Sequence, residues 1–214
     1  MGEHPLAGVN FGSPLLLSPL LIILAALAWG LLHSLLATWK AKKRLLRPFT
    51  PYSHRWYRLF YNLVAGVTLL PVLALLALLP DRPLYTVPLP WSGLFILGQV
   101  AASIALAVGL LQTGVWSFLG LRQLAHPSGE APAELITGGL YRWVRHPLYT
   151  AGLALIWLSP VMTLNLLALN LAFTVYIIIG ARYEERKLQR EFGQAYADYC
   201  KRTPMLIPRL RRGD

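Results

Sequence analysis

Residues 146–181, HPLYTAGLALIWLSPVMTLNLLALNLAFTVYIIIGA, form a stretch of 36 residues that contains no Asp, Glu, Lys or Arg. As a single helix this stretch would be about 54 Å long, whereas the hydrocarbon core of a bilayer is about 30 Å thick. Ser159-Pro160 lies near its middle, and a proline removes a backbone donor and pushes the preceding residue out of helical geometry. The stretch therefore predicts two helices joined by a tight hairpin, each somewhat short for a full crossing.

The composition of the whole chain also indicates a membrane protein. Of its 214 residues, 56% are hydrophobic and only 14% are charged, whereas a soluble domain carries about 25% charged residues. Three further apolar stretches are each long enough to cross a bilayer. We therefore predict an all-α integral membrane protein with five transmembrane helices, at about 15–37, 58–79, 91–112, 147–162 and 164–183, followed by a helical cytoplasmic tail.

The 20 Lys and Arg residues, which give a net charge of +11, predict the topology. With five spans, 19 of the 20 fall on one side of the membrane, and the positive-inside rule makes that side cytoplasmic. We predict a multi-pass protein of the cell membrane with its N-terminus outside and its C-terminus cytoplasmic. Because the same charges attract anionic headgroups, membrane lipids are expected partners and nucleic acid is not.

A first polar cluster opens the predicted hairpin. Pro147 favours a helix start at that position, which places Arg145 and His146 at the helix mouth. Tyr149 and Gly152 then share one face, and the free N–H groups of the first turn attract anions. The cluster predicts a binding site. In the alternative interpretation, Arg145 and His146 extend to headgroups and Tyr149 belongs to the interfacial aromatic belt.

A second cluster lies where the last predicted span ends. Glu184 and Glu185 are adjacent, and acids are disfavoured at a helix C-terminus, so we expect the helix to continue and to stop at Gly193. Two interpretations remain open. Either the carboxylates form local pairs with Arg182 and Lys187, or one of them faces inward and binds hydroxyl groups or a cation.

A third cluster follows in the tail. Tyr196 and Tyr199 are three residues apart and either cap a site or pack at the interface. Pro204 and Pro208 predict an extended segment that folds back over the cytoplasmic mouth. The five histidines are scattered without metal-ligand spacing, so no metal site is predicted, and the chain has no P-loop, GxGxxG or GxSxG motif.

The order of these motifs resembles the C-terminal catalytic region of the isoprenylcysteine carboxyl methyltransferase and phospholipid methyltransferase superfamily. The matching motifs are RHPLYxxG at 145–152, EER at 184–186, GxxYxxY at 193–199 and the segment 204–208. Further stretches, at 32–37, 57–62, 118–123 and 160–163, are similar to the bacterial methanethiol S-methyltransferase branch and its NnrU-like relatives.

The resemblance implies an integral membrane methyltransferase that uses S-adenosylmethionine and acts on a small thiol such as methanethiol. It also implies a division into a three-span region with a cytoplasmic loop, 1–135, and a cofactor-binding hairpin with the tail, 136–214. Arg145 and Glu185 would be catalytic. The implied cofactor contacts are Leu140, His146, Tyr149, Gly152, Glu184, Glu185 and Tyr196.

Other functions fit parts of the same pattern. Within the superfamily, the acceptor of the methyl group could be the carboxylate of an isoprenylcysteine or a lipid. Membrane sterol reductases that use NADPH carry a similar HPxYxG-type motif, although they place an acidic residue where this chain has Leu153. A non-enzymatic NnrU-like assembly factor is a third alternative, and it predicts that no cofactor binds.

Overall fold

The computed structural model describes residues 14–38, 41, 43, 44, 53–119, 121 and 134–209. The helices within these residues are α1 (Pro14–Ala37), α2 (Ser53–Leu78), α3 (Trp91–Thr113), α4 (Val115–Leu119), α5 (Pro147–Trp157) and α6 (Leu164–Arg202). A 3-10 helix (Gly139–Arg142) precedes α5, and two short strands are β1 (Pro83–Thr86) and β2 (Val161–Thr163). The N-terminus, which we predict to be outside, and most of the basic segment between α1 and α2 lie outside the described residues.

Four helices are long and apolar enough to cross a membrane, namely α1, α2, α3 and α6. Many of their large apolar side chains point away from the protein, and Leu97 of α3, for example, is 64% exposed. In water such a continuous apolar surface would be unfavourable, whereas in a bilayer it faces lipid tails of the same polarity. The mostly helical, membrane-type architecture predicted from the sequence is confirmed. The number of spans stays a prediction.

The fourth predicted span, 147–162, is helical only as far as Trp157. Ser159 and Pro160 interrupt the helix as predicted, and Ser159 Oγ donates a hydrogen bond to the carbonyl oxygen of Val161 over 2.6 Å. The 11 residues of α5 are about 16 Å long, so this helix alone is too short to cross a bilayer. The helical extent predicted for this span was therefore wrong by five residues.

The strand that follows this break was not predicted. β2 pairs antiparallel with β1, which lies between α2 and α3. The predicted topology puts these two connections on the same side of the membrane, and their pairing requires this arrangement. α5 and the residues after it thus connect the ribbon to the opposite end of the helices. Within the described residues, this ribbon is the only β structure.

The helices pack as two groups, α1 with α2 and α6, and α3 with α5. The first group buries a small apolar core of Ile22, Ala26, Val72 and Leu169. In the second group, small residues let the backbones approach: a Cβ at Gly98 would come within 2.7 Å of the Leu158 side chain. This packing fixes the position of the short helix α5, whose first turn forms the site described below.

α6 begins and bends at residues whose chemistry explains both features. Thr163 caps its start, because its side-chain oxygen accepts a hydrogen bond from the backbone N–H of Leu166 over 3.2 Å. Gly193 has a φ of 55° and a non-helical backbone, a conformation that favours glycine. The predicted stop at Gly193 is thus a change of direction, after which the helix resumes and runs to Arg202.

Candidate functional site

The start of α5 is covered by residues 203–209, which follow α6 and which we call the C-terminal strap. The backbone N–H groups of Arg145 and His146 donate hydrogen bonds to two strap carbonyl oxygens, over 2.9 and 3.1 Å. Thr150 Oγ1 donates to a third strap carbonyl oxygen over 2.7 Å. The predicted extended segment over the helix mouth is confirmed, while its cytoplasmic location stays a prediction.

Arg145 connects three parts of the chain. Its Nε donates to Glu185 Oε1 over 2.6 Å, and the two side chains are only 12% and 20% exposed. Its Nη1 donates to the carbonyl oxygens of Thr203, over 2.6 Å, and of Cys200, over 3.3 Å. Burial alone would lower the pKa of Arg145, but the hydrogen bond and the charge of Glu185 raise it overall. The guanidinium therefore holds the strap and α6 against the start of α5.

Glu184, the neighbour of Glu185 on α6, also contacts the start of α5 but through different residues. Its Oε2 accepts a hydrogen bond from the Tyr149 hydroxyl over 2.9 Å and lies 3.6 Å from His146 Nδ1. The rings of His146 and Tyr149 are stacked, with centroids 5.3 Å apart and planes inclined by 14°. One carboxylate of α6 thus orients two aromatic side chains of the α5 start.

These contacts decide between the two interpretations of the glutamate pair. Both carboxylates reach across to the start of α5, Glu184 to Tyr149 and Glu185 to Arg145. Neither of the local pairs considered from the sequence occurs among the ion pairs of the described residues. His146 lies close to both carboxylates, because its Nε2 is 3.4 Å from Glu185 Oε1 and its Nδ1 is 3.6 Å from Glu184 Oε2.

A cavity of about 300 Å³ opens beside this cluster. Its walls come from the end of α3, the segment before α5, the first turn of α5 and the C-terminal half of α6. The lining residues are Thr113, Glu134, Leu135, Ile136, Tyr141, Arg145, His146, Pro147, Leu148, Tyr149, Glu184, Leu188, Phe192, Tyr196 and Tyr199. The cavity therefore combines two carboxylates, one guanidinium and several aromatic rings with apolar side chains.

The position of Glu184 within α6 explains why it lines this cavity and Glu185 does not. Glu184, Leu188 and Phe192 are spaced by four residues, so they share one helix face, and all three line the cavity. Glu185 points to the side of the helix that holds Arg145. Leu188 and Phe192 were not among the predicted site residues, although this spacing would have found them.

Two polar atoms beside the cavity are buried without a hydrogen-bond partner among the described residues. They are His146 Nε2 and the hydroxyl oxygen of Tyr196. The His146 side chain is 4% exposed, and Tyr196 is 2% exposed. A buried polar atom without a partner costs about 1–3 kcal/mol, so the Tyr196 hydroxyl is available to a ligand that supplies one. His146 Nε2, in contrast, lies 3.4 Å from Glu185 Oε1.

Tyrosine side chains form the wall beside the strap. The hydroxyl of Tyr199 donates to the carbonyl oxygen of Tyr141 over 2.6 Å, and the rings of Tyr196 and Tyr199 pack edge to face at 6.0 Å. Burial, followed by the negative charge of Glu184, raises the pKa of Tyr141. Burial raises the pKa of Tyr199 to about 12. Both phenols therefore remain neutral hydrogen-bonding groups at physiological pH.

The structure brings most of the predicted site residues together. Of these residues, Arg145, His146, Tyr149, Glu184 and Tyr196 line the cavity. The other three do not line it: Glu185 binds Arg145, and Leu140 and Gly152 are also absent from the lining. Their predicted roles remain predictions. Within the described part of the chain, no group of three His, Cys, Asp or Glu side chains is placed to hold a metal ion.

Comparison with known families identifies the region that contains this site. Residues 93–195 match the family described as Phospholipid methyltransferase. This match covers just under half of the chain, 103 of its 214 residues. The matched region extends from α3 into the helix turn after Gly193, and it includes the His146, Tyr149 and Glu184 cluster.

Curated relatives of the chain carry two kinds of name. Methanethiol S-methyltransferase 2 of Bradyrhizobium diazoefficiens is 49% identical over 71 residues, which are 33% of this chain and 27% of that protein. Methanethiol S-methyltransferase of Crocosphaera subtropica is 32% identical over 128 residues, 55% of this chain and 50% of that protein. The nickel-cobalt-cadmium resistance protein NccN of Alcaligenes xylosoxydans xylosoxydans is 36% identical over 108 residues, 49% of this chain and 50% of that protein.

These matches support the predicted superfamily, including its methanethiol S-methyltransferase branch. The chain spans half or less of the length of these relatives. No solved structure matches the chain. The activity of the chain, including the donor and the acceptor of a methyl group, is therefore a proposal, which the matched region and the relatives' names support.

Proposed function

We propose that this protein is an integral membrane methyltransferase that takes a methyl group from S-adenosylmethionine and transfers it to a small thiol such as methanethiol, giving a thioether. The match to the phospholipid methyltransferase family supports the class of reaction, and the relatives named methanethiol S-methyltransferase support a thiol acceptor. The observation that carries the proposal is the cavity at the start of α5, where Glu184 orients Tyr149 and His146.

The residues around this cavity fit such a cofactor. S-adenosylmethionine carries an ammonium group, a sulfonium group, ribose hydroxyls and an aromatic base. Glu184 offers a carboxylate to the cationic and hydroxyl groups, and the rings of Tyr149 and Tyr196 offer aromatic faces. The Tyr196 hydroxyl, which has no hydrogen-bond partner among the described residues, offers a further polar contact. A cavity of about 300 Å³ lies at the lower end of the range for small-molecule sites.

When bound, S-adenosylmethionine supplies a methyl group on a sulfonium centre, whose departure produces a neutral thioether. The chain's own residues then have to bind the two substrates, align them and exclude water. These are the effects that such a displacement needs most. The strap covers the start of α5, and the apolar wall residues limit the access of water. Glu184 and Tyr149 fix each other's position at the cavity wall.

Arg145 and Glu185 act in this proposal as positioning residues. The guanidinium already binds Glu185 and two backbone carbonyl oxygens, so its charge is committed to contacts within the protein. Its effect on turnover would come from holding the strap and α6 around the cavity. This assignment differs from the direct catalytic role that the resemblance implies for both residues.

The proposal is tested by titrating the detergent-purified protein with S-adenosylmethionine and by analysing the headspace after methanethiol is added. We expect binding and the release of dimethyl sulfide. Glu184→Gln removes the charge at nearly constant size and should weaken cofactor binding about 10- to 100-fold, as expected for a hydrogen bond to a charged group. Glu191→Gln is the matched control, because Glu191 lies on an exposed face of the same helix.

The outcomes separate the alternatives. Cofactor binding without dimethyl sulfide would leave the methyltransferase in place and reopen the acceptor, with N-acetyl-S-farnesylcysteine and phosphatidylethanolamine as the next substrates. Binding of NADPH in place of S-adenosylmethionine would favour a reductase. Binding of neither cofactor would contradict the enzyme and favour the assembly factor.

A further inference from the structure

A second polar cluster lies between α1, α2 and α6, within their apolar segments. His33 of α1 stacks on Trp29 with ring centroids 5.1 Å apart, and it contacts the rings of Tyr61 and Tyr176 at 4.6 and 6.3 Å. His33 Nε2 is within hydrogen-bond distance of the Tyr61 hydroxyl. Ionisable side chains in a membrane-spanning helix are costly and are associated with function. Simple helix packing would be served equally well by an apolar residue.

The other ring nitrogen of this histidine is the most informative atom of the cluster. His33 Nδ1 is buried and has no hydrogen-bond partner in the part of the chain that the structure describes. Since Nε2 is engaged with Tyr61, the neutral ring has two possible forms. If Nε2 donates its proton to the Tyr61 oxygen, Nδ1 carries a free lone pair. In the other tautomer, Nδ1 is a free donor.

The cluster adjoins the cavity through Tyr149. The Tyr149 side chain lines the cavity and binds Glu184, and its hydroxyl also interacts electrostatically with the hydroxyls of Tyr61 and Tyr176. Polar groups therefore continue from the carboxylate of Glu184, past Tyr149, to His33.

The packing around His33 holds its ring in place. Trp29 Nε1 donates to the carbonyl oxygen of Ala65 over 3.0 Å, which ties α1 to α2. Gly30 allows the Tyr176 ring to lie against α1, because a Cβ at this position would come within 2.9 Å of that ring. The cluster thus presents Nδ1 at a defined position among aromatic faces, which suits a small, uncharged, apolar molecule.

We infer that His33 binds the sulfur of the acceptor thiol and takes its proton, an inference that rests on the proposed function. The S–H bond breaks and its proton moves to Nδ1, giving an imidazolium that Tyr61 stabilises through Nε2. The sulfur electron pair forms the new S–CH₃ bond as the bond between that methyl group and the donor's sulfonium breaks, leaving a neutral thioether. The imidazolium later returns the proton to solvent.

A thiol needs such a base more than the alternative acceptors do. The thiol of cysteine has a pKa near 8.5 and a simple alkyl thiol is less acidic still, so it is almost wholly un-ionised at neutral pH, whereas a carboxylate is already ionised. An imidazole is the side chain that most often serves as a general base. The titratable groups facing the ring are Tyr61, Tyr176 and, one residue further away, Tyr149 with Glu184.

The test uses His33→Gln, because the Gln amide reaches the position of Nε2 and keeps the contact with Tyr61 while Nδ1 is lost. We expect an unchanged affinity for S-adenosylmethionine and a kcat/KM for methanethiol that is about 100-fold lower at pH 7, within the range of general base catalysis. The deficit should narrow as the pH rises toward the thiol pKa. Ser103→Ala, on the exposed face of α3, is the control.

A second measurement reports binding without turnover. In protein labelled with ¹⁵N-histidine, methanethiol added without cofactor should shift the imidazole resonance that is missing in His33→Gln, or in His33→Asn if the first variant does not fold. Two results would overturn the inference if the unmodified protein methylates methanethiol. One is that His33→Gln has the same kcat/KM and pH profile as the unmodified protein. The other is that methanethiol does not shift the His33 resonance. Unmodified protein that neither binds S-adenosylmethionine nor releases dimethyl sulfide would contradict the proposed function itself.

Discussion

Tyr149 donates a hydrogen bond to Glu184 over 2.9 Å, and this contact joins the first turn of α5 to α6 just beyond the predicted fifth span. The same carboxylate oxygen lies 3.6 Å from His146 Nδ1. A single carboxylate therefore orients both aromatic side chains at the start of α5. Tyr149 also adjoins the His33 cluster. Variants of this contact should therefore affect cofactor binding, whereas variants of the His33 cluster should affect the acceptor.

Removal of the Tyr149 hydroxyl should weaken cofactor binding. Tyr149→Phe keeps the stacked ring but leaves one oxygen of Glu184 without its donor, and hydrogen bonds to charged groups contribute about 1.5–3 kcal/mol. We expect the dissociation constant for S-adenosylmethionine to rise about tenfold or more, measured by calorimetry. Tyr183→Phe, at a position on α6 that is 65% exposed, should bind normally. Equal affinities in the two variants would contradict this role.

Loss of Arg145 should release the strap. Arg145→Ala leaves the largely buried Glu185 carboxylate and two backbone carbonyl oxygens without their donor, and breaking such a pair costs about 3–5 kcal/mol. We expect a clearly lower unfolding temperature in detergent and faster proteolysis of residues 203–209. Arg142→Ala, in the same segment but exposed, should change neither quantity.

A double variant distinguishes a positioning role from a direct one. In Arg145→Met combined with Glu185→Met, no charge is left buried, so much of the lost stability should return. If turnover returns along with stability, Arg145 acts through the structure. If turnover stays low in a stable double variant, the direct catalytic role implied by the resemblance would be favoured.

Alkaline pH should destabilise the tail that carries Tyr199. Burial raises its pKa to about 12, from 10 in the unfolded chain, and its hydroxyl donates to the carbonyl oxygen of Tyr141. Between these two values the unfolded state binds fewer protons than the folded state, so stability is full below pH 10 and falls as the pH rises toward 12. Thermal unfolding at pH 8, 10 and 11 should show this decline, and Tyr199→Phe should show a shallower one.

A methyl group at Gly30 should disturb the His33 cluster without touching the cofactor cavity. Gly30→Ala would bring a Cβ within 2.9 Å of the Tyr176 ring, and overpacking of this kind costs about 1–3 kcal/mol. We expect a higher KM for methanethiol with unchanged binding of S-adenosylmethionine. Gly66→Ala on α2, where nothing lies within 4 Å of the added Cβ, is the control. Identical kinetics in both variants would show that the position of Tyr176 is unimportant.

The sequence predicts the break between α5 and α6 because the cause is local. Pro160 has no N–H group to donate, and no neighbour can restore the helix there. The pairing of β1 with β2 depends instead on two connections that are about 80 residues apart, and neither short segment has a strand pattern long enough to be recognised. Because the strand β2 was not recognised, the fourth span was predicted to be helical up to residue 162.

The candidate site shows the same division. Pro147 and the charged residues before it mark the helix mouth, so the position of the cluster follows from local sequence. The partners of Glu184 and Glu185 do not follow from local sequence, because the same carboxylates could pair either within α6 or with the start of α5. Only packing shows that Glu185 binds Arg145, 40 positions away, while the four-residue spacing from Glu184 to Leu188 turns Glu184 toward the cavity.

The strap also sets the order in which the site is completed during synthesis. Residues 203–206 supply the carbonyl oxygens that bind Arg145, His146 and Thr150, yet they leave the ribosome almost 60 residues after these partners. A nascent chain can insert all of its apolar helices while the start of α5 still lacks these acceptors. Membrane insertion and maturation of the pocket are therefore separate events, and the second one waits for the strap.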